Sequence, residues 1–231
     1  MGIGAVELAL GYAGVSEVVV TDLSADRLAY AAEKCSVENA AKKGVKLTYL
    51  NTSNLEDPVK TLLELSEGGF DDVFVMVPVP ELFTQAEAIC GIDGCINFFA
   101  GPAVHNLQGS LNLYRVHYDG IHVVGTAGSI PEDTVDTIGL IEKDAVNPGA
   151  LVSHILGLGA VADAIYAMEK PSGAKKVCYN DLDIPLVAIA ELEELGKTDA
   201  MYAKLAEIVN ANDGLWCAEA ERYLLEHAPR L

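Results

Sequence analysis

Positive charge is scarce in this chain: lysine and arginine total 15 against 34 aspartate and glutamate residues, a formal net charge of −19. Phosphates would be repelled by such a surface rather than counter-charged, which excludes nucleic acid and anionic membrane as partners. Long apolar runs are missing too, since no stretch approaches the roughly 18 residues a membrane span needs. The start lacks a basic region followed by a cleavable apolar core, so the expected location is the cytoplasm. Cys35, Cys90, Cys95, Cys178 and Cys217 contain no C-x-x-C pair, which leaves neither a zinc knuckle nor a disulfide framework. Among the five histidines there is no H-x-x-x-H, and the spacing of His117 and His122 suits neither a helix face nor a strand face. Ser110 and Ser129 lack a G-x-S-x-G elbow, so nucleophilic catalysis is unsupported. The pairs Glu193-Glu194 and Glu219/Glu221 read as solvated helix faces. Internal repeats and low-complexity segments are absent as well. No residue is assigned a catalytic or metal-ligating role.

What remains is a chain of 231 residues, 51% apolar, long enough to bury a substantial core. Its organising stretch is the start. Met1-Gly2-Ile3-Gly4-Ala5-Val6 leads through an apolar helix, expected over 5–12 and ended by Gly14, into the β-branched run Val18-Val19-Val20-Thr21 and then Asp22. This pattern is the back half of a dinucleotide-binding fingerprint: a glycine turn, a helix N-terminus facing a pyrophosphate, a buried strand and an acid at its end. Gly2 and Asp22 lie twenty residues apart, close to the spacing of about 20 at which that acid meets the adenosine ribose. The strand and glycines that open such a unit are not in the sequence, so the beginning of the cofactor domain is expected to lie outside it.

Further along, helices are expected over 24–34 with Ser24 as cap, from Asp57-Pro58 with Gly68-Gly69 as the stop, and over 83–90, 132–142 and 160–168. Strands are expected over 46–50, 72–77, 95–100, 121–125 and 176–179. Pro78-Val79-Pro80 is read as an extended loop, residues 91–94 and 146–149 as turns. Beyond Asn180 come three helical patterns, over 186–195, 199–210 and 216–225. The fold class is therefore α/β: a Rossmann-like doubly wound parallel sheet, its first strand missing, over residues 1–180, with a helical C-terminal extension over 181–231.

Four segments carry a family resemblance: Met1-Gly2-Ile3-Gly4-Ala5, Thr21-Asp22-Leu23-Ser24-Ala25-Asp26-Arg27-Leu28, Asp71-Asp72-Val73-Phe74-Val75, and Gly94-Cys95-Ile96-Asn97-Phe98-Phe99-Ala100-Gly101. Together they resemble the cofactor domain of zinc-dependent medium-chain alcohol and polyol dehydrogenases. Within that group Leu111-Asn112-Leu113-Tyr114 and Glu194-Leu195-Gly196-Lys197-Thr198-Asp199, with Gly214-Leu215-Trp216, look like the L-sorbose-1-phosphate reductase type. The resemblance implies hydride transfer between NAD(H) and a sugar alcohol or sugar phosphate. It also implies a catalytic zinc held by a separate domain whose ligands would all precede Met1. Met1 is then expected to be an internal methionine of a longer ancestral protein. A chain without that zinc domain is expected to be inactive alone, and either a homo-oligomer or the partner of a separately encoded catalytic domain.

Ten residues are expected to bind the cofactor. Gly2 and Ile3 open the helix that faces the pyrophosphate. Asp22 accepts from the ribose hydroxyls and repels a 2′-phosphate, favouring NAD over NADP, and Arg27 either stacks on adenine or pairs with a neighbouring acid. Val77, Pro78, Phe99, Ala100, Gly101 and Thr126 follow three successive strands where the resemblance places the nicotinamide half. Two other readings stay open: an S-adenosylmethionine-dependent methyltransferase, which shares the glycine loop and strand-end acid, and a non-catalytic remnant serving binding or oligomerisation.

Overall fold

A computed structural model of the protein describes residues 1–169 and 173–231. In chain order the elements are α1 (Gly2–Gly11), β1 (Glu17–Asp22), α2 (Ala25–Lys34), α3 (Val37–Lys42), β2 (Lys46–Asn51), α4 (Pro58–Leu65), β3 (Phe70–Val75), α5 (Pro80–Ile89), β4 (Cys90–Phe98) and α6 (Leu113–Tyr118). There follow β5 (His122–Gly125), α7 (Pro131–Glu142), β6 (Val152–Gly157), α8 (Val161–Tyr166), β7 (Lys175–Tyr179), β8 (Val187–Ala188), α9 (Leu192–Gly196), α10 (Ala200–Ala211) and α11 (Ala218–His227). This is an α/β fold of the Rossmann type, with its strands grouped in the orders β1-β2, β3-β4-β5 and β7-β6-β8.

Two compact units divide the chain: Met1–Leu50 with Ile138–Leu231, and Asn51–Thr137. In the first, the apolar side of α1 (Val6, Leu10) packs with Ala40, Val45 and Leu47, and Ile3, Val18 and Val20 complete the cluster. A larger core lies on the other sheet of this unit, where β6 pairs in parallel with β7 and antiparallel with β8. Ile155, Tyr179 and Val187 there meet Leu192, Leu205, Val209, Trp216 and Leu224 from α9 to α11. The C-terminal helices thus cover a sheet rather than stand apart from it. In the second unit β3, β4 and β5 are all parallel, and Ala86 of α5 packs in one cluster with Val75 of β3 and Ile96 of β4.

Local signals place most helix starts. Ser24 Oγ accepts from the Arg27 amide at 3.3 Å, and Asp57 Oδ1 from the Lys60 amide at 2.9 Å with Pro58 in the first turn. Other elements differ from the sequence expectation. The first helix starts earlier than expected, at Gly2, with Met1 at the cap position and no side-chain cap bond. α3 is a short additional helix capped by Ser36, whose Oγ accepts from the Asn39 amide at 3.1 Å. Pro80 begins α5 instead of delaying it, since a proline at the first helical position lacks only a donor that would be unpaired there.

The glycines of 91–94 belong to β4, not to a turn. A Cβ on Gly69 would lie 2.7 Å from the Gly91 Cα, so the two backbones touch as only glycines permit. Residues 152–157 form the central strand of their sheet although Ser153 and His154 interrupt the apolar pattern, because two partner strands take up their backbone groups. The helical pattern of 186–195 is likewise split: Val187–Ala188 pairs with β6, and only Leu192–Gly196 is α-helical. Tertiary pairing overrides local periodicity at both places.

Candidate functional site

The ten expected cofactor residues fall in the two units, Gly2, Ile3, Asp22 and Arg27 in the first and the other six in the second. Gly2 is the first residue of α1. Met1, at the capping position, makes no side-chain hydrogen bond to the helix, and nothing lies within 4 Å of a Cβ built on Gly2. The first amides of α1 thus have no side-chain cap from Met1, and the space in the Cβ direction of Gly2 is open. Ile3 is committed elsewhere, half-buried against Val6 and Leu10, so only its backbone is available.

Asp22 ends β1 and is partly exposed. Its carboxylate accepts from the Ser24 amide at 2.8 Å and from Arg27 twice, Nε at 2.9 Å and Nη2 at 2.6 Å. The Arg27 guanidinium holds the Asp22 carboxyl below the usual carboxylate range, against a smaller opposing effect of burial. Of the two roles open to Arg27, the structure shows the ion pair. Arg27 sits on the first turn of α2 with its side chain 70% exposed, so the pair is readily exchanged for other partners. Leu23, next to Asp22, is 68% exposed and offers apolar surface beside the acid; a strand-end leucine carries no sequence signal that sets it apart.

In the second unit, register brings the strand ends together. Val75 is opposite Phe98, and Phe98 opposite Gly125, so the residues after each strand leave from one edge. The amides of Phe99 and Ala100 both donate to the Val75 carbonyl, at 3.1 and 3.0 Å. That fastens the Phe99-Ala100-Gly101 turn beside Val77 and Pro78, where the Val79 amide closes a tight turn onto the Val77 carbonyl at 2.8 Å. Ala100 is 7% exposed, whereas Val77, Pro78, Gly101 and Thr126 are exposed. A Cβ on Gly101 would meet nothing within 4 Å. One nearby group was not among the ten. The Asn97 Oδ1 is buried without a hydrogen-bond partner, and its signal is visible as a lone amide within the apolar run Cys95-Ile96-Asn97-Phe98-Phe99-Ala100. A buried acceptor of that kind is destabilising until a donor reaches it.

Among the described residues no three His, Cys, Asp or Glu side chains group as a metal site. His122 faces Asp93 at 3.2 Å and His117 packs edge-on to Tyr118, so the two histidines serve separate contacts. No helix among the described residues is long and apolar enough to cross a membrane.

Comparison with known proteins adds the following. The family model for zinc-binding dehydrogenases matches residues 1–143. The chain is 42% identical over 227 residues to the uncharacterized protein YggP of Escherichia coli (strain K12), covering 97% of this chain and 53% of that protein. It is 38% identical to the mannitol-1-phosphate 5-dehydrogenase of Aliivibrio fischeri (strain ATCC 700601 / ES114), covering 98% and 54%. It is 37% identical to the L-sorbose 1-phosphate reductase of Klebsiella pneumoniae, covering 99% and 53%. The chain thus spans about half the length of the curated relatives it matches. Its fold is that of the benzyl alcohol dehydrogenase of Acinetobacter calcoaceticus, with a TM-score of 0.60 at 20% identity over 77% of this chain and 46% of that one.

Proposed function

We propose, from the premise that this chain belongs to the zinc-binding dehydrogenase family, that it binds NAD(H) as the cofactor part of an oxidoreductase acting on a sugar alcohol or sugar phosphate. The observation that carries this reading is the Asp22 carboxylate at the end of β1, ionised at neutral pH and held by an exchangeable arginine. When bound, the nicotinamide supplies or accepts the hydride. This chain's own residues orient it. Asp22 accepts from the two ribose hydroxyls once Arg27 swings aside, and the start of α1 at Gly2 and Ile3 donates amides to the pyrophosphate. In the second unit, Val77, Pro78, Phe99, Ala100, Gly101 and Thr126 are the residues proposed for the nicotinamide end. The side-chain Oδ1 of Asn97, buried without a partner, is the acceptor proposed for a carboxamide.

NAD rather than NADP follows from Asp22, whose charge repels a 2′-phosphate. Arg27 is the counter-argument, since freed from Asp22 it would attract that phosphate. The substrate class rests on the two sugar-phosphate relatives, and the L-sorbose-1-phosphate type is the finer assignment. Residues 1–180 are assigned to the cofactor domain and 181–231 to its helical extension. No three His, Cys, Asp or Glu side chains among the described residues group to hold a zinc ion. The purified chain by itself is accordingly expected to show no turnover of polyols, with the zinc groups supplied by another domain or chain. Family membership favours a nicotinamide over S-adenosylmethionine, and calorimetric titration of the folded chain with each tests it. Micromolar NADH binding is the expected result. Binding of S-adenosylmethionine alone would replace the reading, and binding of neither would leave an oligomerisation or binding remnant.

A further inference from the structure

Within the first unit a cavity of about 320 Å³ is lined by Lys34, Lys42, Lys43, Glu7, Asn39 and Asn147, with Cys35 and Asp213 also on its wall. Its size falls at the lower end of small-molecule sites. None of the ten cofactor residues is among its lining residues.

The charge placement is unusual for this chain. With 15 basic residues against 34 acids, three lysines fall on one cavity. Lys34 is the buried one, its side chain 7% exposed, and it donates to Glu33 Oε1 at 2.8 Å and the Gly214 carbonyl at 3.4 Å. The ammonium has three donors, and its Nζ also lies over the Tyr30 ring, 5.5 Å from the centroid. Lys42 donates to the Asn39 amide oxygen at 2.9 Å. Among the described residues neither Lys42 nor Lys43 forms an ion pair with a carboxylate. Lys34 and Lys42 lie in the last turns of α2 and α3, where cations favour the helix ends. That accounts for each lysine singly and not for the convergence of three on one cavity.

Glu7 on the same lining is fixed. Glu7, 6% exposed, accepts the Asn147 amide at 3.0 Å and the Cys35 thiol at 3.4 Å. Each carboxylate oxygen keeps further acceptor capacity, which suits a hydroxyl and not a second anion. Lys43 is close enough to Cys35 to pull its thiol pKa downward, although burial and Glu7 dominate.

We propose that this cavity binds a phosphate-class anion, either free phosphate or the monoester of a small hydroxylated compound, with the lysines holding the phosphoryl oxygens and Glu7 accepting from a hydroxyl of the ester. The site is independent of the nicotinamide reading.

The test is calorimetric titration of the full chain with inorganic phosphate and with glycerol 3-phosphate, repeated with saturating NADH present. The variants are the double charge reversal Lys42→Glu/Lys43→Glu, at two exposed positions, and the control Lys204→Glu, an exposed lysine outside the cavity lining. Saturable binding at roughly millimolar concentration is expected. The double reversal should weaken it at least about tenfold, since two attractions become two repulsions, and the control should leave it unchanged. Tighter binding of the ester than of phosphate supports the ester and the Glu7 role; equal binding supports free phosphate. Absence of saturable binding to the parent chain overturns the proposal, as does an unchanged affinity in a folded double variant. Phosphate binding that NADH displaces and the double variant retains belongs to the cofactor site, and it overturns the proposal without touching the cofactor reading.

Discussion

Replacing Asp22 with alanine separates the roles of the acid and of its arginine. In the structure the carboxylate makes three hydrogen bonds, to the Ser24 amide and to two nitrogens of Arg27. In the proposed complex NADH exchanges the Arg27 bonds for two ribose hydroxyls. Each hydrogen bond to a charged group is worth about 1.5–3 kcal/mol. The exposed arginine regains water when it leaves, so little of that gain is cancelled. A net loss of about 2–4 kcal/mol in the variant follows, or roughly 30- to 1,000-fold in the Kd for NADH. NADPH should behave in the opposite way. The repulsion against its 2′-phosphate is gone and Arg27 is free to pair with it, so NADPH affinity holds or rises and the preference narrows or inverts. Fluorescence titration with both cofactors reads this out, after circular dichroism confirms the fold. The exposure of Asp22 makes the substitution mild for stability. A folded Asp22→Ala chain that binds NADH within about twofold of the parent would refute the assignment of this acid to the ribose.

Three further outcomes are expected. Ala100→Phe fills the space beside the turn that its own amide fastens to Val75; a folded variant should lose NADH binding, and unchanged affinity would remove this turn from the site. Leu224→Ala opens a void at a fully buried position of the α9–α11 core, at a cost of about 2–5 kcal/mol. The single tryptophan, Trp216, whose Nε1 donates to the Tyr179 hydroxyl at 3.1 Å in that core, reports the lowered urea midpoint by fluorescence. Burial first, and Glu7 next, push the Cys35 thiol up to about 12. It should therefore resist alkylation at pH 8, while the half-buried Cys95, Cys178 and Cys217 react. The sign for stability is that of a raised pKa: the contribution is complete below the unfolded thiol value near about 8.5 and is lost as pH rises toward the folded one. Mass spectrometry of peptides from native and denatured chain distinguishes the sites, and rapid native labelling of Cys35 would contradict its burial.

Local chemistry was the legible part. Ser24 and Asp57 announce helix starts because a cap acts through residues three positions away, and the β-branched run to Asp22 announces a strand because its side chains prefer that backbone. The resemblance at Asp22 and at Phe99-Ala100-Gly101 rests on contiguous residues and points to the zinc-binding dehydrogenase family that residues 1–143 match. The strand at 152–157 and the split of 186–195 were not legible, since their hydrogen-bond partners lie elsewhere in the chain. Asn97 stood in view as an isolated polar residue, but its orphaned oxygen is a property of the packing around it.

By itself the sequence determined the fold class, the family and the spacing between Gly2 and Asp22, because these depend on neighbours along the chain. Tertiary structure alone decided that Ile3 is spent on the core, that Arg27 clamps Asp22, and that the ends of β3, β4 and β5 open at one edge. It also decided that Lys34, Lys42 and Lys43 share a cavity with Glu7 and Asn147. The physical reason is distance along the chain. Propensity, capping and turn chemistry act over a few residues, whereas register, burial and the meeting of charges from α1, α2, α3 and the stretch after α7 exist only once the backbone has closed around them.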